Sequence, residues 1–353
     1  MGGAERLNIH LIAALRRQGV GADLFLVRRV GALVAEAREL GIEPYYAVSG
    51  PGRIRGGLPR TSWILPRLAR NYDALVAGVG MATAAVAAPA GFVTRRAVVG
   101  QMHSDITMLD RSDWSRTHQA MARFLYPKLA AVVGVSPGAT QSLDRLHVRP
   151  SRRYTINNGI DLDFIRSRAA APIDIEEPYV LGVGRLDPVK GFDRLLDAFA
   201  ELRKSGAAQR LVIVGDGPEK TNLLIRASEL GITPSVLFVG ADSNPWRYMA
   251  RAAVLALPSR REGLPLVMLE ALALGTPVVA TDDSRPVREL LETTNLGHIV
   301  PAGVLAMGLA EVLASQRGAN RRAQAFAAAV QSFSIDATAI EYARLFASIE
   351  TRR

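Results

Sequence analysis

Two glutamates and two cations carry the chemistry this sequence is equipped to do. Glu262 and Glu270 lie in the stretch 257–281, LPSRREGLPLVMLEALALGTPVVAT, and Arg185 and Lys190 lie in GRLDPVKG at 184–191. An apolar run, Val254 to Leu257, ends at Pro258 with the brevity of a buried strand. A polar loop follows from Ser259 to Gly263, and Pro265 then opens a helix, where its fixed φ and missing N–H cost least. That helix runs through Leu266, Leu269, Leu272 and Ala273, stops near Gly275-Thr276-Pro277, and gives way to a strand at Val278-Val279-Ala280. Strand, glycine loop and helix mouth together form an anion site, because unbonded backbone N–H groups and the helix dipole converge there.

Carboxylates beside an anion site make sense when the ligand carries more than phosphate. A nucleotide-sugar offers a diphosphate to the N–H groups and hydroxyls that donate to carboxylates. Arg185, a planar fork, and Lys190, a point charge, follow a strand at 179–184 and can reach a diphosphate bound at 263–267. Taken singly, each charge has an ordinary explanation as a surface residue; the four in this setting point to one ligand. The pattern is GxGR, not GxGxxG, so a dinucleotide fingerprint is absent and an oxidoreductase is the weakest class.

The elements that must hold these residues alternate along the chain. An amphipathic helix with Leu7, Leu11, Ala14 and Leu15 on one face follows Met1-Gly2-Gly3-Ala4-Glu5-Arg6, and a strand follows at 22–27. No strand precedes the glycines. In a βαβ unit the absent one would be central, and its loss would expose the edges of two neighbours. Helix about 31–40, strand 43–48, helix about 61–70 and strands 74–79 and 97–101 come next, the last delivering His103 just past its carboxyl end. Open parallel sheets place ligand-contacting residues there, although a lone histidine is more often structural. A strand at 131–135 and another at 154–156 lead into the turn-rich Asn157-Asn158-Gly159-Ile160-Asp161. Residues 161–177 show little periodicity and mark a domain boundary, after which a second alternation of strands and helices begins. Alternation throughout predicts an α/β protein with two parallel sheets, each covered by helices on both faces. Gly215-Asp216-Gly217-Pro218 reads as a tight turn without direct chemistry.

Composition narrows the class. With 353 residues, two domains are expected, and 49% hydrophobic residues with 31 glycines suit close-packed α/β layers. The chain has no cysteine, which excludes disulfides and cysteine-ligated metal and suits a reducing compartment. No metal cluster is visible and no secretory signal opens the sequence. The net charge of +10 is concentrated in residues 1–157, where 21 basic face 10 acidic side chains; the remaining 22 and 23 nearly cancel. Segment 53–70 (RIRGGLPRTSWILPRLAR) holds five arginines and no acid, with Trp63, Ile64, Leu65 and Leu68 between them. Such a segment suits an anionic membrane surface or a lipid-linked acceptor, or is simply a solvated basic face; no nucleic-acid-binding module accompanies it. Ala74 to Val93 is uncharged but interrupted by Pro89-Ala90-Gly91, and is better read as a strand with an Ala-rich helix than as a membrane span.

These pieces together resemble the retaining glycosyltransferases of family 4, nucleotide-sugar-dependent enzymes of the GT-B fold, with two Rossmann-like domains facing across a cleft. The matching residues are GGAER at 2–6, His103, NNGID at 157–161, GRLDPVKG at 184–191, VGDGP at 214–218 and EGLPLVMLEALALGTPVVAT at 262–281. The resemblance implies domains at 1–160 and 161–335, with 336–353 returning to the first. It implies that Arg185 and Lys190 hold the donor diphosphate, Glu262 faces the donor sugar and Glu270 the ribose. Backbone around Gly263, Leu264, Leu266 and Val267 would surround the phosphates, Gly2 and Gly3 would approach them from the other domain, and His103 would lie near the transferred sugar. No cofactor is implied beyond the donor substrate, for which UDP is favoured over GDP. The acceptor is expected to be a glycan or a polyprenyl-linked one, in cell-surface polysaccharide or glycolipid synthesis, at the cytoplasmic side of a membrane. After the strand 278–281 the family usually shows a glycine pair; here Asp283-Ser284-Arg285 stands instead, with Glu289 retained. An inactive nucleotide-sugar-binding protein and a GT-B sugar-nucleotide epimerase are the competing expectations.

Overall fold

The computed structural model describes residues 3–29, 31, 33–50, 57–103, 113–145, 147–150, 152–175, 178–294, 297–315 and 333–349. They fall into two units, 1–159 with 335–353, and 160–334. In the first unit helix α1 (Gly3–Arg17) precedes β1 (Phe25–Arg29), α2 (Leu33–Glu39), β2 (Tyr45–Ser49) and α3 (Leu58–Ala69). Next come β3 (Ala74–Ala77), α4 (Gly80–Thr94), β4 (Ala97–Met102), α5 (Asp113–Leu125), β5 (Ala131–Gly134), α6 (Pro137–Arg145) and β6 (Arg153–Thr155). Every paired strand is parallel, but they form two pieces, β1–β2 and β3–β4–β5–β6.

Among the described residues no strand joins the two pieces. β4 and β5 are buried along their whole length, as interior strands of a doubly wound sheet must be. β3, at the edge of its piece, is half-exposed and turns Val76 outward, and Phe25, Leu26 and Val27 of β1 are only half-buried. No strand precedes α1 among the described residues. The basic segment folds in part as α3, starting at Leu58 and not at 61; Arg53 and Arg55 lie outside the described residues. Its apolar residues do not form an outward stripe. Leu65 is buried and Ile64 and Leu68 half-buried, so of the four only Trp63 is exposed.

The second unit contains α7 (Leu162–Ala169), β7 (Tyr179–Val183), α8 (Phe192–Lys204), β8 (Arg210–Val214), α9 (Lys220–Glu229), β9 (Val236–Gly240) and α10 (Trp246–Met249). It continues with β10 (Val254–Leu257), α11 (Leu266–Ala273), β11 (Val278–Thr281), α12 (Arg285–Thr294), β12 (Gly297–Val300) and α13 (Leu305–Ala314). The division between the units falls at 159/160, and α7 opens the second of them. Asp161 caps α7 by accepting from the Phe164 N–H at 3.1 Å, and Ile165 and Ala169 pack into this unit's core. The sheet is wholly parallel, in the order β12-β11-β10-β7-β8-β9. Alternate residues feed its two faces: Tyr179, Leu181 and Leu255 join Trp246 and Met268 on one, while Val180, Leu211 and Val254 join Leu195 and Phe199 on the other. The last helix, α14 (Ile335–Ser348), belongs with the first unit. Buried Tyr342 accepts a 2.8 Å hydrogen bond from Gln101 Nε2, Thr338 Oγ1 donates to the Asn157 carbonyl at 3.0 Å, and Asp336 pairs with Arg17 of α1.

Candidate functional site

In the second unit the chain winds from β7 outward through β8 to β9, then returns to place β10 on the other side of β7. Ligands of open α/β sheets bind at such a reversal, in the crevice outside the carboxyl ends of the two flanking strands. The loops that leave those two ends are 184–191 from β7 and 258–265 from β10, which are the stretches the sequence singles out.

The first loop is braced from below. The Leu186 N–H donates to the Asp216 carbonyl at 3.0 Å, and the Leu186 carbonyl accepts from the Glu219 N–H at 3.0 Å, so the turn at 215–218 supports this loop. Asp187 caps the short turn Pro188–Lys190 and pairs with Arg185. Gly191 then takes φ +68°, and a Cβ there would sit 2.1 Å from the Pro258 carbonyl oxygen. The two loops therefore touch backbone to backbone, and the Arg260 N–H donates to the Val189 carbonyl at 2.8 Å.

This contact sets the charges. Lys190 Nζ lies 2.6 Å from Glu262 Oε1, and Ser259 Oγ donates to the same oxygen at 2.7 Å. Buried Ser284 holds the Glu262 carbonyl at 3.2 Å, and Thr281 Oγ1 donates to the Ser259 carbonyl at 3.3 Å. Arg260 grips Asp193 through two bonds of 2.8 and 2.6 Å; those hydrogen bonds hold the Asp193 carboxyl below its usual range despite partial burial. Arg194 pairs with Asp283 at 2.8 Å. The departure at 283–284 thus has a structural account: Asp283 anchors the loop after β11 to α8, and Ser284 fixes the backbone of Glu262.

The helix mouth differs slightly from the sequence expectation. Pro265 is the cap of α11 with extended backbone (φ −71°, ψ 114°), and the helix proper begins at Leu266. The N–H groups of Leu266 and Val267 fall in the first turn, where no upstream helical carbonyl is available. Gly263 and Leu264 are buried beside them, and Glu270 is buried within α11 and not solvated. Lys190, Glu262 and the helix mouth are brought together. Arg185 shares the loop, but its guanidinium rests on Asp187 and its side chain is 67% exposed.

The other expected residues belong to the first unit. Gly2 lies outside the described residues; Gly3 is the exposed first residue of α1. His103, just past β4, lies 2.8 Å through Nε2 from the Gly78 carbonyl and 3.2 Å from Gln101 Oε1. Both partners are acceptors, so Nε2 carries the proton. The Gly78 carbonyl also accepts from Asn8 of α1 at 2.6 Å, which ties the start of α1 to His103. Asn8 fills the space a Cβ at Gly78 would need, a link that no spacing in the sequence reveals.

Burial pushes the His103 pKa below its ordinary value of 6.5, against the raising pull of the Gly78 carbonyl and Glu5. A folded chain with a neutral His103 competes with an unfolded chain that takes up a proton first. Stability is therefore complete above about pH 6.5 and declines as the pH falls from there toward the depressed folded value. His103→Gln is expected to flatten that acid limb, measured by denaturant melts at successive pH values; an unchanged slope contradicts the assignment.

Family profiles match both parts of the chain: "Glycosyltransferase Family 4" over residues 1–164 and "Glycosyl transferases group 1" over 163–330. A similar protein is the N-acetylgalactosamine-N,N'-diacetylbacillosaminyl-diphospho-undecaprenol 4-alpha-N-acetylgalactosaminyltransferase of Campylobacter jejuni. It is 31% identical over 249 residues, which are 67% of each chain. The D-inositol 3-phosphate glycosyltransferase of Mycobacterium avium is 34% identical over 244 residues, 63% of this chain and 56% of that protein. Among solved structures, Anabaena HepE in complex with UDP and glucose superposes with a TM-score of 0.82 at 24% identity, covering 98% of this chain and 96% of that one.

Proposed function

As this chain belongs to glycosyltransferase family 4, we propose that it moves a sugar from a nucleoside-diphosphate donor, with retention at the anomeric carbon, to a glycan or lipid-linked acceptor. The observation that carries this reading is the Lys190–Glu262 pair, held at 2.6 Å beside the mouth of α11 at the sheet's reversal point. Breaking the glycosyl–phosphate bond leaves negative charge on the departing diphosphate. Lys190, the Leu266 and Val267 N–H groups and the helix dipole meet that charge, with Arg185 free to swing from its exposed position onto the same group. Glu262, oriented by Ser259 and Ser284, accepts from the sugar hydroxyls, and Glu270 from the ribose.

UDP is the favoured donor base, supported by the UDP bound to HepE. The Campylobacter relative is named for an undecaprenol-linked acceptor, which together with the basic N-terminal half supports a membrane-linked acceptor met at the cytoplasmic face. A second reading is a nucleotide-sugar-binding protein that does not turn over. A panel of UDP- and GDP-sugars offered with undecaprenyl-diphosphate glycans decides between them. Transfer from a UDP-sugar, with the anomeric configuration retained by NMR, is expected. Donor binding without transfer or hydrolysis establishes the second reading, and an inverted product overturns the mechanism.

A further inference from the structure

The exposed apolar side chains of the first unit are not confined to Trp63 of the basic segment 53–70. Phe92 is 87% exposed and Val93 67%, both at the end of α4, and Phe124 is 63% exposed at the end of α5. Exposure of this degree leaves aromatic surface in water without return, and singly it would call for no explanation. Their common location does.

Helices α3, α4 and α5 each end a few residues before a strand: β3 starts at Ala74, β4 at Ala97 and β5 at Ala131. These strands are parallel and in register, Ala74 beside Ala97 and Val99 beside Ala131. Adjacent strands lie about 4.8 Å apart, so the three helix ends share one end of the sheet, within about 10 Å along it. Arg96 confirms the closeness by donating to the Arg70 carbonyl at 2.9 Å, which joins the ends of α3 and α4.

The same end is strongly cationic. The segments around the three helix ends, 67–73, 92–97 and 121–131, contain Arg67, Arg70, Arg95, Arg96, Arg123 and Lys128, six cations, against a single acid, Asp73. Cations at helix C-termini have an ordinary explanation in the helix dipole. That explanation does not cover the aromatics beside them. Lys128 Nζ stands 3.2 Å over the Phe124 ring and Arg67 3.6 Å over the exposed Trp63 ring, so aromatic and cation are presented outward as pairs.

We propose that this end of the sheet is a docking face for an anionic lipid bilayer, with Phe92, Val93 and Phe124 entering the headgroup boundary and the surrounding arginines and Lys128 meeting lipid phosphates. Exposed aromatics sit well at such a boundary, and each cation near an anionic surface strengthens attachment. No helix of the described residues is long and apolar enough to cross a membrane, and the attachment proposed here is to the bilayer surface. The motive for attachment rests on the membrane-linked acceptor proposed above, but the face itself lies at the opposite end of β4 from His103. It tethers the unit without touching ligand.

The test uses the intact chain with vesicles of phosphatidylcholine alone or mixed with phosphatidylglycerol, by co-sedimentation, alongside UDP binding by calorimetry. The wild type is expected to bind the anionic vesicles at least about tenfold more tightly than the neutral ones, and to release them in high salt. Arg95→Glu with Lys128→Glu is expected to lose about tenfold or more of that binding. Phe92→Ser with Phe124→Ser is expected to lose a similar amount in low salt, with the same melting temperature and UDP affinity as the wild type. Equal binding to both vesicle types, no binding, or variants that bind as the wild type does would each overturn the proposal; so would capture of a protein partner by this face in place of vesicles. Vesicle binding without any UDP binding would sustain this face while removing the catalytic reading.

Discussion

Alanine at Lys190 is expected to lower sugar transfer by about 10²–10³-fold, the range seen when one preorganised donor to a developing anion is removed. Lys190 is the cation nearest Glu262, and it is held there by the cap at Asp187 and the backbone contact at Gly191. Its loss takes charge from the leaving diphosphate and also leaves the largely buried Glu262 carboxylate with Ser259 as its remaining side-chain donor. Glu262→Ala is expected to cost at least about tenfold, because it removes an acceptor for the sugar and frees Lys190 to wander. The folded state should tolerate both. Lys190 keeps 27% exposure, so breaking the pair is expected to cost about 1–2 kcal/mol of stability and leave a folded protein. Steady-state kinetics with melting curves check this; near-normal turnover in either variant removes the site assignment.

Gly191→Ala carries the second large effect, on stability. A residue with a side chain at φ +68° is strained by about 1–2 kcal/mol, and here the new Cβ also meets a backbone oxygen at 2.1 Å, which cannot turn aside as a side chain could. The sum is expected to reach about 3–4 kcal/mol, lowering the melting temperature of the second unit by roughly 6–16 °C at the usual conversion for a unit of this size. Gly231→Ala is the matched control, with φ +69° and nothing within 4 Å of its Cβ. Strain without collision should lower stability by only about 1–2 kcal/mol there. Equal losses at the two positions would show that the contact between the loops at 191 and 258 is not tight in solution.

Much of this was legible in the sequence because the second unit obeys local rules. Short apolar runs became buried strands, Pro265 marked the mouth of α11, and Lys190 and Glu262, 72 residues apart in sequence, met because β7 and β10 are neighbours. The supports were less legible. Ser259 and Ser284 are small polar residues of loops, and only their burial against Glu262 shows what they hold. Asp283 broke a familiar pattern, and its partner Arg194 lies on a helix far away in the chain. The first unit was harder still. Arginines with apolar neighbours at 53–70 suited a membrane surface, yet helical spacing turns Leu65 inward and leaves Trp63 exposed, and further aromatics, Phe92 and Phe124, face water at the ends of α4 and α5. Charge counts locate a basic half; they do not say which side chains the packing leaves outside.

The most direct measurement is a crystal structure of this chain soaked with an uncleaved UDP-sugar analogue. The pyrophosphate is expected within hydrogen-bonding distance of Lys190 Nζ and of the Leu266 and Val267 N–H groups, with ribose hydroxyls on Glu270 and the sugar toward Glu262. A donor bound away from the carboxyl ends of β7 and β10, or seated there with Lys190 and Glu262 still paired only to each other and out of reach of it, would contradict the assignment.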